Sequence, residues 1–230
     1  MTEFQTELKN YLLGQGAADV GFCRAPDGTG GLQYAVSIVA RLSDAIVEEI
    51  HDAPTYTYFH HYRTVNTFLD QLALKAGLRL QQRGYRYLTI AASQSIPKAG
   101  SPYQGRYSHK KAAVLAGLGT VGKNNLFLHE RYGPRVRLST VFTDCVFTGP
   151  RASAKNRCMD CGRCVHACPA QAISGESWSD RAELSSFFAP KLCSDYMKHA
   201  FQHIGRGAVC GICMRVCPAG RTPATKESER

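Results

Sequence analysis

Apolar residues recur every three or four positions in two stretches of the N-terminal half, which is the spacing of an amphipathic helix. The first stretch follows Thr2 and Gln5, a pair with the spacing of a capping box, and ends near Gly14. The second runs from about residue 58 to residue 83 without a proline and predicts the longest helix. The apolar positions are Phe4, Leu8 and Leu12 in the first stretch, and Val65, Phe68, Leu69, Leu72 and Ala76 in the second.

Short runs rich in β-branched and aromatic residues, separated by turns with glycine or proline, predict the strands. These runs are residues 18–23, 34–42, 85–92, 126–129 and 136–143, and a further short helix is predicted at residues 108–116. Helices and strands alternate up to about residue 144. This order favours a mixed fold of the α/β or α+β class.

The chain of 230 residues is long enough for one medium domain with a small appended module. We divide it into an α/β domain at residues 1–144, a cysteine-rich module at 145–220 and a polar tail at 221–230 that is expected to be disordered. No apolar run approaches the ~20 residues of a membrane-spanning helix. The first residues also lack the basic and apolar regions of a secretory signal. We therefore expect a cytoplasmic protein that does not enter a membrane.

Eight of the ten cysteines form two runs between Cys158 and Cys217. The first run is C-x2-C-x2-C-x3-C-P, and the second keeps the C-x2-C-x3-C-P ending after a longer gap. In ferredoxins with such runs, three thiolates bind one [4Fe–4S] cluster and the fourth cysteine binds the other cluster. This rule assigns Cys158, Cys161, Cys164 and Cys217 to one cluster, and Cys168, Cys193, Cys210 and Cys213 to the other.

Zinc is the alternative for these cysteines, because C-x2-C pairs also suit tetrahedral zinc. Two tandem C-x2-C-x3-C-P endings are unusual in zinc modules, so we favour two iron–sulfur clusters in a ferredoxin-like module. Cys23 and Cys145 lie outside both runs and are interpreted as buried free thiols. Cysteines used in this way indicate a reducing compartment.

The formal net charge of +10 overstates the basicity of the loaded protein. Eight thiolates remove eight charges, and two cluster cores of about +2 each restore four, which leaves about +6. Binding to nucleic acid becomes a weaker inference. The remaining charge still favours an acidic partner or a phosphate-bearing ligand.

A glycine-rich segment at residues 117–125 imitates two nucleotide-binding motifs. It matches G-x-G-x-x-G, but a predicted helix precedes the glycines and a predicted strand follows, the reverse of a dinucleotide site. It also resembles a P-loop, but Asn124 stands where the magnesium-binding hydroxyl is needed. The segment is either a loop whose backbone approaches a bulky ligand, with Lys123, Asn124 and Asn125 as polar contacts, or a tight turn without a ligand.

Residues 111–125, the segment Tyr132-Gly-Pro-Arg135, and Cys193-Ser-Asp-Tyr196 with the two cysteine runs resemble the epoxyqueuosine reductases. These are cobalamin-dependent iron–sulfur enzymes, and reductive dehalogenases are their relatives. The resemblance implies a nitroreductase-like domain that holds cobalamin against the clusters, with electrons passing through both clusters to cobalt. It also implies a corrinoid pocket lined by the glycine segment, namely by Gly117, Leu118, Gly119, Gly122, Lys123, Asn124 and Asn125.

Two departures from that family concern the substrate. The catalytic aspartate expected some fourteen residues before the glycine segment is absent, and the stretch contains Tyr103 and Tyr107 instead. These tyrosines are our candidate proton donors, Tyr107 first, if Arg106 or Lys110 stabilises the phenolate. Otherwise both are ordinary packing residues. The chain also ends soon after Cys217, without the C-terminal repeat region that serves transfer RNA. We therefore do not expect epoxyqueuosine as the substrate.

These observations predict a corrinoid-dependent reductase, or a corrinoid-reducing protein, of an anaerobe. Reduced ferredoxin or flavodoxin is the expected electron donor, and a small molecule or a corrinoid partner the expected acceptor. Two alternatives stay open. One is an electron-transfer protein without catalysis of its own, and the other is a reductase that holds a flavin in the same pocket.

Overall fold

The computed structural model describes residues 1–96, 103–149, 154–177, 184–207 and 209–220. The predicted disordered tail at 221–230 lies outside the described residues. The helices are α1 (Glu3–Gly14), α2 (Asp44–Glu48), α3 (Tyr56–Gln82), α4 (His109–Leu115), α5 (Arg163–His166), α6 (Leu184–Phe187), α7 (Pro190–Phe201) and α8 (Ile212–Arg215). The strands are β1 (Asp19–Arg24), β2 (Tyr34–Arg41), β3 (Tyr87–Ile90), β4 (Gly119–Val121), β5 (Phe127–His129) and β6 (Val136–Thr143).

Four of these strands form one sheet in the order β1-β2-β6-β3. Each neighbouring pair is antiparallel, so that Val36 of β2 lies opposite Phe22 of β1 on one side and Val141 of β6 on the other. The mixed helix and strand composition predicted from the sequence is confirmed. The alternation of elements does not produce parallel pairs in the described sheet, because β1 and β2 form a hairpin and β6 inserts between β2 and β3. The arrangement is α+β.

The two faces of the sheet are covered by different helices. Alternate residues of β2 point to opposite faces, and both β2 and β6 are buried along most of their length. Val36 and Ile38 join a buried cluster with α3, whereas Ala35 and Val39 join a second cluster with α4. A three-layer arrangement results, with the sheet between α3 and α4.

The predicted local elements are confirmed in most of the first domain. Thr2 and Gln5 form the expected capping box of α1, since each side chain binds the other residue's backbone N–H. The predicted long helix is α3, whose buried stripe includes Leu69 and Leu72. Helix α2 and strand β4 were not predicted from the sequence. Strand β4 falls inside the glycine segment, where three glycines masked its β-branched residues.

The cysteine-rich module packs against the N-terminal end of α3. Tyr58, near the first turn of α3, is 2% exposed and belongs to the same buried cluster as Phe201, Ile212 and Met214. Gly211 lies so close to the Tyr58 ring that an added Cβ would stand 3.0 Å from it. The hydrophobic core therefore continues from the sheet into the module. Among the helices of the described residues, none is both long and apolar enough to cross a bilayer.

Candidate metal centres and cofactor cleft

The first cavity of the module is lined by Cys158, Cys161, Cys164 and Cys217. Burial raises the pKa of the Cys217 thiol, and the other three cysteines of this group raise it further. Like charges that disfavour ionisation in this way must lie close together. The structure therefore brings together the four cysteines that the ferredoxin pairing rule assigned to one cluster. We call this group the distal site.

The second cavity, of about 260 Å³, is lined by Cys168, Cys193, Cys210 and Cys213. Burial raises the pKa of Cys213 well above its usual value, and Cys210, Cys193 and Cys168 add to the effect. Each site thus combines the first three cysteines of one run with the last cysteine of the other run. We call this second group the proximal site.

A repeated local structure places the central cysteines of both sites. Gly162 and Gly211 each follow a cysteine, have φ of +63° and +82°, and cap the one-turn helices α5 and α8. This left-handed conformation strains any residue with a side chain. The chain reverses direction after each glycine. Cys164 therefore faces the same cavity as Cys161, and Cys213 faces the same cavity as Cys210.

A larger cleft of about 770 Å³ lies beside the proximal site. Its walls come from the start of α4, strands β5 and β6, and the segment around α6. The cleft and the proximal cavity share five lining residues, which are Asn125, Leu126, Arg137, Phe188 and Met214. The proximal cysteines are therefore the ones next to the cleft, and the distal cysteines lie farther from it.

Arg137 provides a fixed positive charge at this junction, which the sequence analysis missed. Its Nε donates to Asn66 Oδ1 at 2.9 Å and its Nη2 donates to the Ala92 carbonyl at 3.3 Å. The guanidinium also lies 4.2 Å from the centre of the Tyr62 ring. Two contacts from helix α3 and one from the segment after β3 restrict its rotamer, so the cation is held in place.

Lys110 is a second cation that lines the cleft. Its Nζ donates to the Asn125 carbonyl at 2.8 Å and also to Asn125 Oδ1. Both acceptors are neutral, so burial dominates and lowers the pKa of Lys110 to about 8. Lys110 therefore binds the glycine segment and is not at the hydroxyl of Tyr107, where the sequence analysis expected it.

Tyr107 also lines the cleft, but the environment of its hydroxyl differs from the one expected. The hydroxyl donates to Asp27 Oδ1 at 3.0 Å. Burial, followed by the charge of Asp27, raises the pKa of Tyr107 far above its usual value. Arg106, the other expected cation, donates instead to Thr29 Oγ1 at 2.9 Å. A carboxylate in place of a cation makes Tyr107 a weaker acid.

Tyr103 lines the same cleft and is 40% exposed. The ion pair with Asp195 is the main cause that raises the pKa of Lys191, and Tyr103 contributes as well. Tyr103 and Lys191 are therefore within electrostatic reach of each other. Tyr103 is exposed, whereas Tyr107 is half-buried.

The glycine segment forms strand β4 and the turn of the β4–β5 hairpin, and its glycines allow close backbone packing. A Cβ on Gly119 would stand 2.1 Å from the Leu128 carbonyl oxygen, and one on Gly122 would stand 2.9 Å from Asn124 Oδ1. Gly117 has φ of +71° at the end of α4. Leu118 is 7% exposed within the second buried cluster. These four residues shape the hairpin and are not among the residues that line the cleft.

The polar end of the hairpin separates the three cavities. Lys123 lines the distal site, where it forms an ion pair with Asp160. Asn124 lines both cysteine sites, and its Nδ2 donates to the Cys213 carbonyl at 3.2 Å. Asn125 lines the proximal site and the cleft. Of the seven residues implied for the corrinoid pocket, Asn125 is the one that the structure places at the cleft.

Comparison with known proteins agrees with this arrangement. The family described as a 4Fe-4S double cluster binding domain matches residues 157–220, which contain all eight clustered cysteines. This match favours iron–sulfur clusters over zinc. The chain thus carries a module that binds two [4Fe–4S] clusters, next to an α+β domain with a large cleft.

The resemblance drawn from the residues is confirmed. The chain is 30% identical over 145 residues to an epoxyqueuosine reductase of Synechocystis, a match that covers 61% of this chain and 50% of that protein. It is 45% identical over 67 residues to a tetrachloroethene reductive dehalogenase of Desulfitobacterium hafniense, which covers 28% of this chain and 12% of that protein. The chain therefore spans half or less of these two relatives.

Among solved structures, a reductive dehalogenase studied for B12-dependent dehalogenation superposes with a TM-score of 0.74 at 21% identity. The superposition covers 95% of this chain and 31% of that one. At this identity the likeness concerns the fold. It extends over both the α+β domain and the cluster module, so the two parts occur together in a protein of the same architecture.

Proposed function

We propose that this protein is a corrinoid-dependent iron–sulfur reductase, with a nitroreductase-like N-terminal domain. Electrons enter at the distal cluster, pass to the proximal cluster and reach a cofactor in the large cleft. The observation that carries this proposal is the junction of the proximal site and the cleft, which share five lining residues. A cluster is useful there only if the neighbouring cleft holds an electron acceptor.

The lining of the cleft suits a large cofactor with a flat apolar ring and polar edges. Its volume of about 770 Å³ is within the range of about 300–1,000 Å³ that is common for ligand pockets. Val136, Leu138 and Phe188 supply apolar surface, whereas Arg137 and Lys110 supply fixed donors at the rim. When bound, a corrinoid supplies a strongly reducing cobalt centre. The residues of this chain orient it, exclude water and deliver protons.

Tyr103 is the better candidate proton donor, which reverses the order expected from the sequence. Reduction of a substrate carbon generally ends with protonation by a positioned acid. Burial and the charge of Asp27 oppose the phenolate at Tyr107, whereas Tyr103 lines the same cleft and is 40% exposed. With a substrate that turns over, Tyr103→Phe should lower turnover by about 10²–10⁴ and Tyr107→Phe by much less. Equal losses in both variants would contradict this order.

Anaerobic reconstitution tests the cofactor. Purified protein is offered cob(II)alamin or FMN, and binding is followed by optical and electron paramagnetic resonance spectra. We expect cobalamin to bind in a base-off form without nitrogen splitting from its nucleotide base. Retention of flavin with rejection of cobalamin would establish the flavin alternative. Redox-active clusters with neither cofactor bound would establish the electron-transfer alternative.

A matched pair of variants ties the result to the cleft. Phe188→Ala removes apolar surface from the cleft and from the edge of the proximal cavity, so its iron content is measured first. With iron at the parent level, it should bind cobalamin more weakly. Leu78→Ala removes a similar apolar side chain, 45% exposed on α3, and should bind cobalamin like the parent. Equal affinities in both variants would show that cobalamin binds elsewhere. We place the protein in the cytoplasm, since its clustered thiols need a reducing compartment.

A further inference from the structure

The outer surface of the distal site contains exposed basic residues around an exposed cluster cysteine. Cys161 is exposed, whereas the other seven clustered cysteines are only partly accessible. Arg157, Met159 and Arg163 line the same cavity and are exposed at its edge, with Met159 at 55%. Lys155, two residues earlier, is exposed as well. We call Lys155, Arg157, Met159, Cys161 and Arg163 the distal surface.

The positive charges of this surface are available to a partner. Within the described part of the chain, Lys155, Arg157 and Arg163 form no ion pair or side-chain hydrogen bond. The neighbouring acid, Asp160, is already paired with Lys123. Exposed arginine side chains with no partner keep their full donor capacity for carboxylates.

The charge of the cluster itself must be included. Four thiolates and an oxidised core of about +2 give the distal cluster a charge of about −2. That charge lies within the cavity, whereas Arg157 and Arg163 are exposed at its edge and Lys155 is exposed two residues before Arg157. An approaching anionic protein therefore meets the cations first, with the cluster directly behind them.

We propose that the distal surface is the docking site for an acidic one-electron carrier protein. The proposal rests on the proposed function, because it supplies the electrons that the two clusters pass onward. In the docked complex one electron leaves the carrier and one enters the distal cluster, and no bond is made or broken. Met159 contributes an adaptable apolar contact at the centre, which is common where weak and transient partners bind.

The position of the cations favours a redox protein over nucleic acid. They lie on the loop and helix that hold cysteines Cys158, Cys161 and Cys164, where a partner's redox centre comes nearest to the cluster. A phosphate backbone has no electron to deliver at that point. Nucleic acid binding is nevertheless a distinguishable outcome of the test.

The test compares two double variants that remove the same net charge. Arg157→Gln with Arg163→Gln changes the distal surface. Arg79→Gln with Arg83→Gln changes the far end of α3, where both arginines pair with Glu7 on the surface. Helix α3 has 27 residues, so it is about 40 Å long. Its other end packs against the module, which places the control pair far from the clusters. Exposed pairs of this kind contribute little to stability.

Reduction of the cluster-loaded protein is followed by stopped-flow absorbance without corrinoid. The reductants are an acidic plant-type [2Fe–2S] ferredoxin and a neutral photoreduced deazaflavin, each at about 0.01 M and about 0.3 M salt. At low salt we expect the Arg157/Arg163 variant to react with ferredoxin at least about tenfold more slowly than the parent. The difference should shrink at high salt, where surface charges are screened. The control variant should stay within about twofold, and deazaflavin should reduce all three proteins equally.

Two outcomes would overturn the proposal. The first is an unchanged ferredoxin rate in the Arg157/Arg163 variant, which together with a lost affinity for a transfer RNA stem-loop would point to nucleic acid instead. The second is an equal loss in the control variant. Corrinoid binding and its photoreduction are measured separately on the parent. A failure of the docking surface can therefore be told apart from a failure of the proposed reductase function.

Discussion

Replacing the acceptor of Lys110 by a carboxylate should change the titration of this lysine by an amount that the structure defines. The pKa of Lys110 falls from 10.5 to about 8 because it is buried against the neutral Asn125. This difference of about 2.5 units corresponds to about 3 kcal/mol against the charged form, at 1.36 kcal/mol per unit. Asn125→Asp places an opposite charge at the existing contact, which typically moves a pKa by about 1–3 units. The variant should therefore restore most of the ordinary value.

The direction of the stability change follows from the same numbers. Between pH 8 and 10.5 the unfolded chain keeps the Lys110 proton while the folded protein releases it. The free energy of unfolding contributed by this group therefore rises with pH across that window. The same titration removes a cation from the cleft, so the affinity of the cleft for anions should fall above pH 8.

Carbon NMR of protein with labelled lysine Cε atoms measures these values directly. Lys110→Arg assigns the resonance by its disappearance. Lys123 and Lys191, whose pKa values are raised by Asp160 and Asp195, serve as references that titrate high. A Lys110 that titrates at or above 10.5 in the parent would refute the reasoning, as would an Asn125→Asp variant with an unchanged pKa.

Three further predictions concern the clusters and the hairpin. Cys168→Ala should lower iron from about eight to about four per chain by loss of the proximal cluster, and loss of the distal cluster instead would disprove the crossing. Lys123→Met should lower the reduction potential of the distal cluster and Asp160→Asn should raise it, each by an amount on the order of tens of millivolts. Redox titrations that shift this potential in the same direction in both variants would contradict the prediction. Gly119→Ala, whose Cβ would stand 2.1 Å from a backbone oxygen, should destabilise the protein by about 1–3 kcal/mol in thermal unfolding. Gly14→Ala, with no atom within 4 Å, is the control and should be nearly neutral.

Local features of the structure could be predicted from the sequence because neighbouring residues determine them. The capping box of α1 involves residues three apart, and the buried stripe of α3 repeats within a single helix. The cysteine groups are a similar case. The first run and the C-x2-C-x3-C-P ending of the second each place their cysteines close together in the chain, and the ferredoxin pairing rule connects the two runs.

The contacts in the cleft could not be predicted in this way, because they join residues far apart in the chain. Asp27 and Tyr107 are eighty residues apart, and their hydrogen bond is the contact on which the proposed order of the two proton donors rests. The glycine segment shows the same limit. Its pattern fits a ligand loop equally well, and only the close approach of Gly119 to strand β5 identifies it as a tightly packed hairpin.

The sequence by itself indicated which cysteines group together and where the main helices and strands lie, since spacing and periodicity are local properties. Tertiary structure alone decided that all pairs in the described sheet are antiparallel, that the proximal cysteines adjoin the cleft, and which cations line it. The physical reason is that burial and charge depend on which distant segments pack together. A side chain such as Lys110 acquires its low pKa from that packing, and its neighbours in the sequence do not reveal it.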